Sequence, residues 1–65
     1  MKNSMKDNIE FGNRLTQLRE ESGLTQEELA EKLGVSRQIV SVWERGQSRP
    51  KTERIIKMSQ IYNLS

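Results

Sequence analysis

Arg37, Gln38, Ser41 and Arg45 fall within a short stretch of one another, with Val42 as the apolar member of the group. Their side chains recognise partners; they do not react. Arginine offers a planar fork of N–H donors, glutamine a donor and an acceptor side by side, and serine a rotatable hydroxyl. Bond-making chemistry lacks its usual agents. The chain has no cysteine and no histidine, so thiolate nucleophiles, imidazole bases and the usual zinc sites are absent. Serines and carboxylates occur, but no base is placed to activate a hydroxyl, and there is no glycine-rich phosphate loop. Glu27 and Glu31 share a helix face at i, i+4, which is cation spacing; without a third ligand the simpler reading is a solvated acidic face. No enzyme, no cofactor and no metal site is expected.

Side chains that recognise by hydrogen bonding need rigid elements behind them, and the punctuation of the sequence supplies helices. The spacing predicts a first helix from about Ile9 to Ser22, with Phe11, Leu15 and Leu18 near one face and Gly23 as its stop. A second begins at Thr25, where Thr-x-x-Glu (Thr25 and Glu28) forms a capping box, and its apolar stripe is Leu29, Ala30 and Leu33. Gly34 ends it. Ser36 caps a third helix carrying Val40 and Trp43 on one face, ended by Gly46. After a polar loop broken by Pro50, a fourth helix runs from near Thr52 to about Tyr62. Ile55, Met58, Ser59 and Tyr62 make one face of it, Ile61 lies beside them, and Ile56 falls on the other side. That arc is wider than one packed face requires, so the helix is either buried on several sides or meets another protein surface. No stretch alternates as a strand does, and the fold class is all-α: a compact bundle of four short helices.

Two short helices joined by a tight glycine-containing turn have the geometry of a helix-turn-helix, here from about Gln26 to Arg45. Ala30 is small where the third helix must pass close to the second, Gly34 makes the turn, and Val35, Val40 and Trp43 enter the shared core. Val40 and Trp43 are read as core residues and not as ligand contacts. Between them Arg37, Gln38, Ser41, Val42 and Arg45 point outward and can address base edges or phosphates.

The rest of the chain is consistent with one small domain. With 65 residues it can bury one core, and 32% hydrophobic against 31% charged residues is polar for a globular chain. The apolar residues are nonetheless periodic, which argues against general disorder. Residues 1–33 hold five Lys/Arg and seven Asp/Glu, a net −2, whereas residues 34–65 hold six and two, a net +4. The second half can therefore face a polyanion while the acidic first half faces water. Apolar runs are far too short to span a bilayer, and the polar start does not resemble a signal peptide. Residues 1–8 are expected to form a flexible arm and residues 9–65 the domain. A cytoplasmic location is expected.

The stretch Leu-Arg-Glu-Glu-Ser-Gly-Leu-Thr-Gln-Glu-Glu-Leu-Ala-Glu-Lys-Leu-Gly-Val-Ser-Arg-Gln-Ile-Val-Ser-Val-Trp-Glu-Arg-Gly, residues 18–46, resembles the phage repressor/Cro family of Xre-type helix-turn-helix domains. Arg49-Pro50 and the amphipathic fourth helix continue the resemblance, which covers most of the chain from Phe11 onward. It implies a lambda-repressor-like fold and sequence-specific binding of double-stranded DNA by a prokaryotic or phage transcriptional regulator, most simply a repressor. The third helix would lie in the major groove and the second would cross the backbone. Arg37 and Gln38 stand where the family reads bases, arginine suiting guanine and glutamine suiting adenine. Ser41 can donate or accept one turn on, and Ile39 and Val42 flank that surface within reach of thymine methyls. Gln26 matches the family's phosphate and base-edge anchor at the start of the second helix. Ser36, Arg45, Arg49 and Lys51 match backbone contacts that position without specifying. The resemblance also implies a structural pair, Arg19 with Glu44, in which lysine could not replace the arginine fork.

Family domains usually continue into a fifth helix, and Ser65 reads as the cap of one, so the chain is expected to be a fragment of a longer protein. The implied partner is a two-fold symmetric operator bound by a homodimer. The alternative reading is an antitoxin or protein-interaction module on the same scaffold, motivated by Ile56 and Ile61. Arg54 and Lys57 are expected only to cover the outer face of the fourth helix.

Overall fold

The computed structural model describes residues 5–62, which form four helices: α1 (Met5–Glu21), α2 (Gln26–Leu33), α3 (Arg37–Glu44) and α4 (Thr52–Tyr62). No strand occurs among the described residues, and none of their helices is long and apolar enough to cross a membrane.

Helix boundaries follow local chemistry. Thr25 Oγ1 accepts from Glu28 N at 3.0 Å while Glu28 Oε1 accepts from Thr25 N at 2.8 Å, completing the capping box of α2. Ser36 Oγ accepts from Ile39 N at 3.3 Å and caps α3. Past α2, Gly34 takes φ +74°, a left-handed conformation that an L side chain rarely adopts. It lets Val35 N reach back to Ala30 O and Gly34 N to Glu31 O, satisfying carbonyls that the helix end would otherwise strand. The same paired bonds close α1 around Gly23 and α3 around Gly46.

One boundary differs from expectation. Helix α1 begins at Met5 and not near Ile9, so residues 5–8 of the expected arm are helical. The polar stretch before Ile9 carries no apolar period to mark a helix, yet Asp7 lies in the first turn, where a negative charge complements the helix dipole. Residues 1–4 of that arm, and the cap expected at Ser65, lie outside the described residues.

The core is Leu15, Leu29, Ala30, Leu33, Val40, Trp43 and Met58, with Phe11, Leu24, Val35, Ile61 and Tyr62 packed against it. Leu29, Leu33 and Val40 are fully buried, so the α2–α3 crossing forms the centre of the core. Helix α1 closes against α3 at Gly12. A Cβ built there would lie 2.5 Å from the carbonyl oxygens of both Trp43 and Glu44, closer than van der Waals contact permits. Helix α4 sends Met58 into the core and leaves Ile56 54% exposed, so the wide apolar arc divides between packing and solvent. Between α1 and α4 lies a groove of about 240 Å³ lined by Phe11, Leu15, Leu18, Ile55, Met58 and Tyr62. The Tyr62 hydroxyl is buried without a hydrogen-bond partner among the described residues. Burial pushes its phenol above the ordinary value, with the Arg19 charge pulling the other way.

Candidate nucleic-acid interface

Helix α3 is held from beneath by Val40 and Trp43, which fixes the direction of everything on its other side. Arg37 and Gln38 are exposed at its N-terminal end, and neither side chain forms a hydrogen bond or ion pair with another described residue. Ile39 is 41% exposed beside them. Ser41 and Val42 are half-buried, set back toward the middle of the helix. Of the positions expected outward, the two at the helix start are therefore the most available. An exposed arginine fork next to an exposed amide on a rigid helix end can read hydrogen-bonding edges in a groove wide enough for the helix.

The orientation of that helix depends on a polar network at its far end. Arg19 Nε donates to Glu44 Oε2 at 2.6 Å and Arg19 Nη2 to Glu44 Oε1 at 3.2 Å, the forked geometry expected of this pair. Arg19 Nη1 also donates to Leu24 O at 2.8 Å, tying the α1–α2 turn to the same guanidinium. The side chains are 13% and 5% exposed, so both charges are largely removed from water. Hydrogen bonding to Glu44 raises the Arg19 guanidinium above its ordinary value, against the desolvation that burial imposes. Gln26 joins the network, its Nε2 donating to Glu44 Oε1 at 2.9 Å. The residue expected to anchor DNA from the start of α2 thus has its amide nitrogen directed inward.

The remaining expected contacts are distributed around α3. Ser36 is exposed and engaged as a cap, and Arg45 Nε lies back along its own helix, 3.3 Å from Ser41 O. Arg49 places its guanidinium 4.9 Å from the centroid of the Phe11 ring, a cation–π arrangement linking the α3–α4 loop to α1. Lys51 is exposed just before α4. Arg49 and Lys51 border a second depression, about 370 Å³, whose apolar floor includes Ile39, Trp43 and Pro50. Its charged rim is Arg49, Lys51 and Arg54 with one carboxylate, Glu53, a net positive edge over an apolar floor beside α3.

Arg54 corrects the sequence reading. It does not simply cover an outer face, because its Nη1 donates to Leu33 O at 3.0 Å and ties α4 to the end of α2. A basic residue facing a helix C-terminus complements its dipole, but no local pattern announces a bond across that many residues. Gly12 is a parallel case: a glycine inside a helical segment signals a close approach, without indicating to what.

The family model of helix-turn-helix domains matches residues 15–65. Over 57 residues the chain is 39% identical to the HTH-type transcriptional regulator ImmR of Bacillus subtilis, and the match spans 88% of this chain and 45% of ImmR. It is 42% identical over 57 residues to the HTH-type transcriptional activator BcrR of Enterococcus faecalis, spanning 88% of this chain and 28% of BcrR. The chain thus spans less than half the length of either relative. Among solved structures, the restriction-modification controller protein C.AhdI from Aeromonas hydrophila superposes with a TM-score of 0.87 at 34% identity, covering 98% of this chain and 93% of that one. A fold of this likeness, a family match over most of the chain, and the crossing built from Leu29, Ala30, Gly34 and Val40 agree: the chain belongs to the Xre-type helix-turn-helix family.

Proposed function

We propose that the chain reads a specific double-stranded DNA sequence as part of a transcription regulator, with α3 in the major groove. The observation that carries this reading is the free, exposed pair Arg37 and Gln38 at the start of a helix whose opposite face is locked into the core. Arg37 is assigned to a guanine and Gln38 to an adenine, with Ser41 and Val42 as shorter-range contacts deeper along the helix. Ser36, Arg45, Arg49 and Lys51 are assigned to phosphates, which fix register without selecting sequence. The +4 charge of residues 34–65 supports that placement, since α3, the loop and α4 all lie in that half.

The same reading makes the protein a homodimeric repressor on a two-fold operator, with half-sites about 34–36 Å apart. Exposed Ile56 and the α1–α4 groove offer apolar surface that a second protomer or another protein can cover, and an antitoxin-like module would use the same surface. A cytoplasmic location is consistent with a DNA partner. No catalysis is assigned to a chain without histidine or cysteine.

Selection of bound duplexes from a random pool, repeated at two salt concentrations, tests the reading. A two-fold consensus is the expected result, and a pool that stays random would overturn it. On the selected operator, Arg37→Ala should lose about tenfold or more in discrimination at one base pair. Lys51→Ala should instead weaken all sequences alike and lower the salt slope by about one. Equal loss on every sequence for Arg37→Ala removes its base-reading role.

A further inference from the structure

The loop between α3 and α4 meets α1 at two points. At its start, a Cβ built on Gly46 would lie 2.7 Å from the Ile9 Cα, so the loop backbone runs directly against the helix. Further along, the Arg49 guanidinium carbon stands over the Phe11 ring, 4.9 Å from its centroid. The ring is a fixed platform, because Phe11 packs against the core, whereas Arg49 is exposed. The following Pro50 narrows the backbone conformations open to Arg49. An aromatic face attracts a guanidinium through its π electrons and occupies none of its N–H donors. Arg49 makes no hydrogen bond or ion pair with any other described residue, so every donor of its fork remains available to an anion. Arg45, by contrast, has its Nε bonded back to Ser41 O, and Lys51 has neither a ring nor a hydrogen-bond partner among the described residues. Of the cations assigned to phosphates, Arg49 alone is both restrained and unsatisfied.

We propose that Phe11 is a positioning residue for DNA binding: its ring holds the Arg49 guanidinium at the positive rim beside α3, with the donors free to clamp a phosphate. The proposal rests on the phosphate role given to Arg49 above. It adds a residue of α1, outside the helix-turn-helix, that acts through Arg49. The stacked arginine is the same one that borders the depression next to Ile39 of α3, so holding it there and presenting it there are one arrangement. A long side chain loses rotamer freedom when it closes on an anion, and one already confined by stacking loses less. An exposed stack of this kind is strong enough to raise the share of the binding conformer about two- to fivefold, and apparent affinity rises in proportion.

The test uses the full chain and the operator obtained by selection, at a temperature where circular dichroism shows every variant folded. The parent, Phe11→Leu, Arg49→Ala and their double variant close a thermodynamic cycle, measured over a range of salt concentrations. Leucine keeps an apolar contact with the core and removes the ring. Arg49→Ala should weaken all sequences alike and lower the salt slope by about one. Phe11→Leu should weaken all sequences about two- to fivefold with base preferences unchanged, and should cost nothing more once Arg49 is gone. Phe11→Tyr, which keeps the ring, should bind as the parent does. A Phe11→Leu loss that is undiminished in the Arg49→Ala background makes the ring merely structural and overturns the proposal. Binding by Phe11→Leu as tight as the parent's, or tighter, overturns it too, since the ring then does nothing for Arg49 or holds it back. A second measurement needs no DNA. Protons held over an aromatic face resonate upfield, so the Arg49 side-chain protons should lie upfield of those of Arg37 and lose that displacement in Phe11→Leu. Coincident resonances in the parent protein overturn the positioning role. Arg49→Ala binding like the parent sinks this proposal alone when Arg37→Ala still loses discrimination, whereas binding with no base preference anywhere sinks the DNA-reading role with it.

Discussion

Glu44→Ala is expected to destabilise the domain by about 3–5 kcal/mol. Removing the carboxylate strands Arg19, whose side chain is only 13% exposed and whose fork would face an empty site. It also frees the Gln26 amide and loosens the joint between α1, the turn at Leu24 and the end of α3. Breaking a buried ion pair from one side costs about 3–5 kcal/mol, because the surviving charge stays buried without compensation. A chain of this length has a total stability of only about 3–10 kcal/mol. The loss is thus a large fraction of what holds the fold together. Thermal unfolding followed by circular dichroism provides the measurement, and a variant melting within about 1 kcal/mol of the parent would show the pair to be dispensable. Arg19→Lys should fall between the two, since it keeps the charge and loses the fork.

Gly12→Ala reverses the sign that helix propensity assigns to it. In an exposed helix interior, alanine is favoured over glycine by about 0.8–1.0 kcal/mol. Here the added methyl would sit 2.5 Å from two backbone carbonyl oxygens, those of Trp43 and Glu44, and neither is the movable end of a side chain. The clash is relieved only by moving α1 away from α3, which also stretches the Arg19–Glu44 bonds. Overpacking of this kind costs about 1–3 kcal/mol, so a net destabilisation is expected despite the better propensity. Urea denaturation measures it through the midpoint at constant slope. A midpoint equal to or above that of the parent would contradict the close approach of the two helices.

These two positions also show where sequence reading stops. Thr25 with Glu28, Ser36 and Gly34 announce helix ends because capping is chemistry between residues a few positions apart. Leu29, Ala30, Leu33, Val40 and Trp43 announce a crossing because periodicity reports which face must be hidden. The pairing of Arg19 with Glu44 was legible only through family resemblance, since nothing local links residues so far apart. Periodicity does not say which backbone a buried face will touch. The contact of Gly12 with two carbonyls, the bond of Arg54 to Leu33 and the inward turn of the Gln26 amide all depend on that, and all were silent. The early start of α1 was silent for another reason: a polar helical turn buries too little to leave a pattern.

Helix α4 is fastened more lightly than the others: it sends only Met58 fully into the core, packs Ile61 and Tyr62 against it, and bonds Arg54 to Leu33. Converted from space into time, this predicts a hierarchy of opening. Its amides should exchange through partial excursions in which α4 lifts away, while those of α2 and α3 wait for the whole molecule to unfold. Native-state hydrogen exchange would reveal the two classes as separate free energies, and a single shared value would mean that the four helices open together. In the first case the α2–α3 crossing persists through motions that widen the α1–α4 groove, so changes at that groove and at the exposed face of α3 become separable in time.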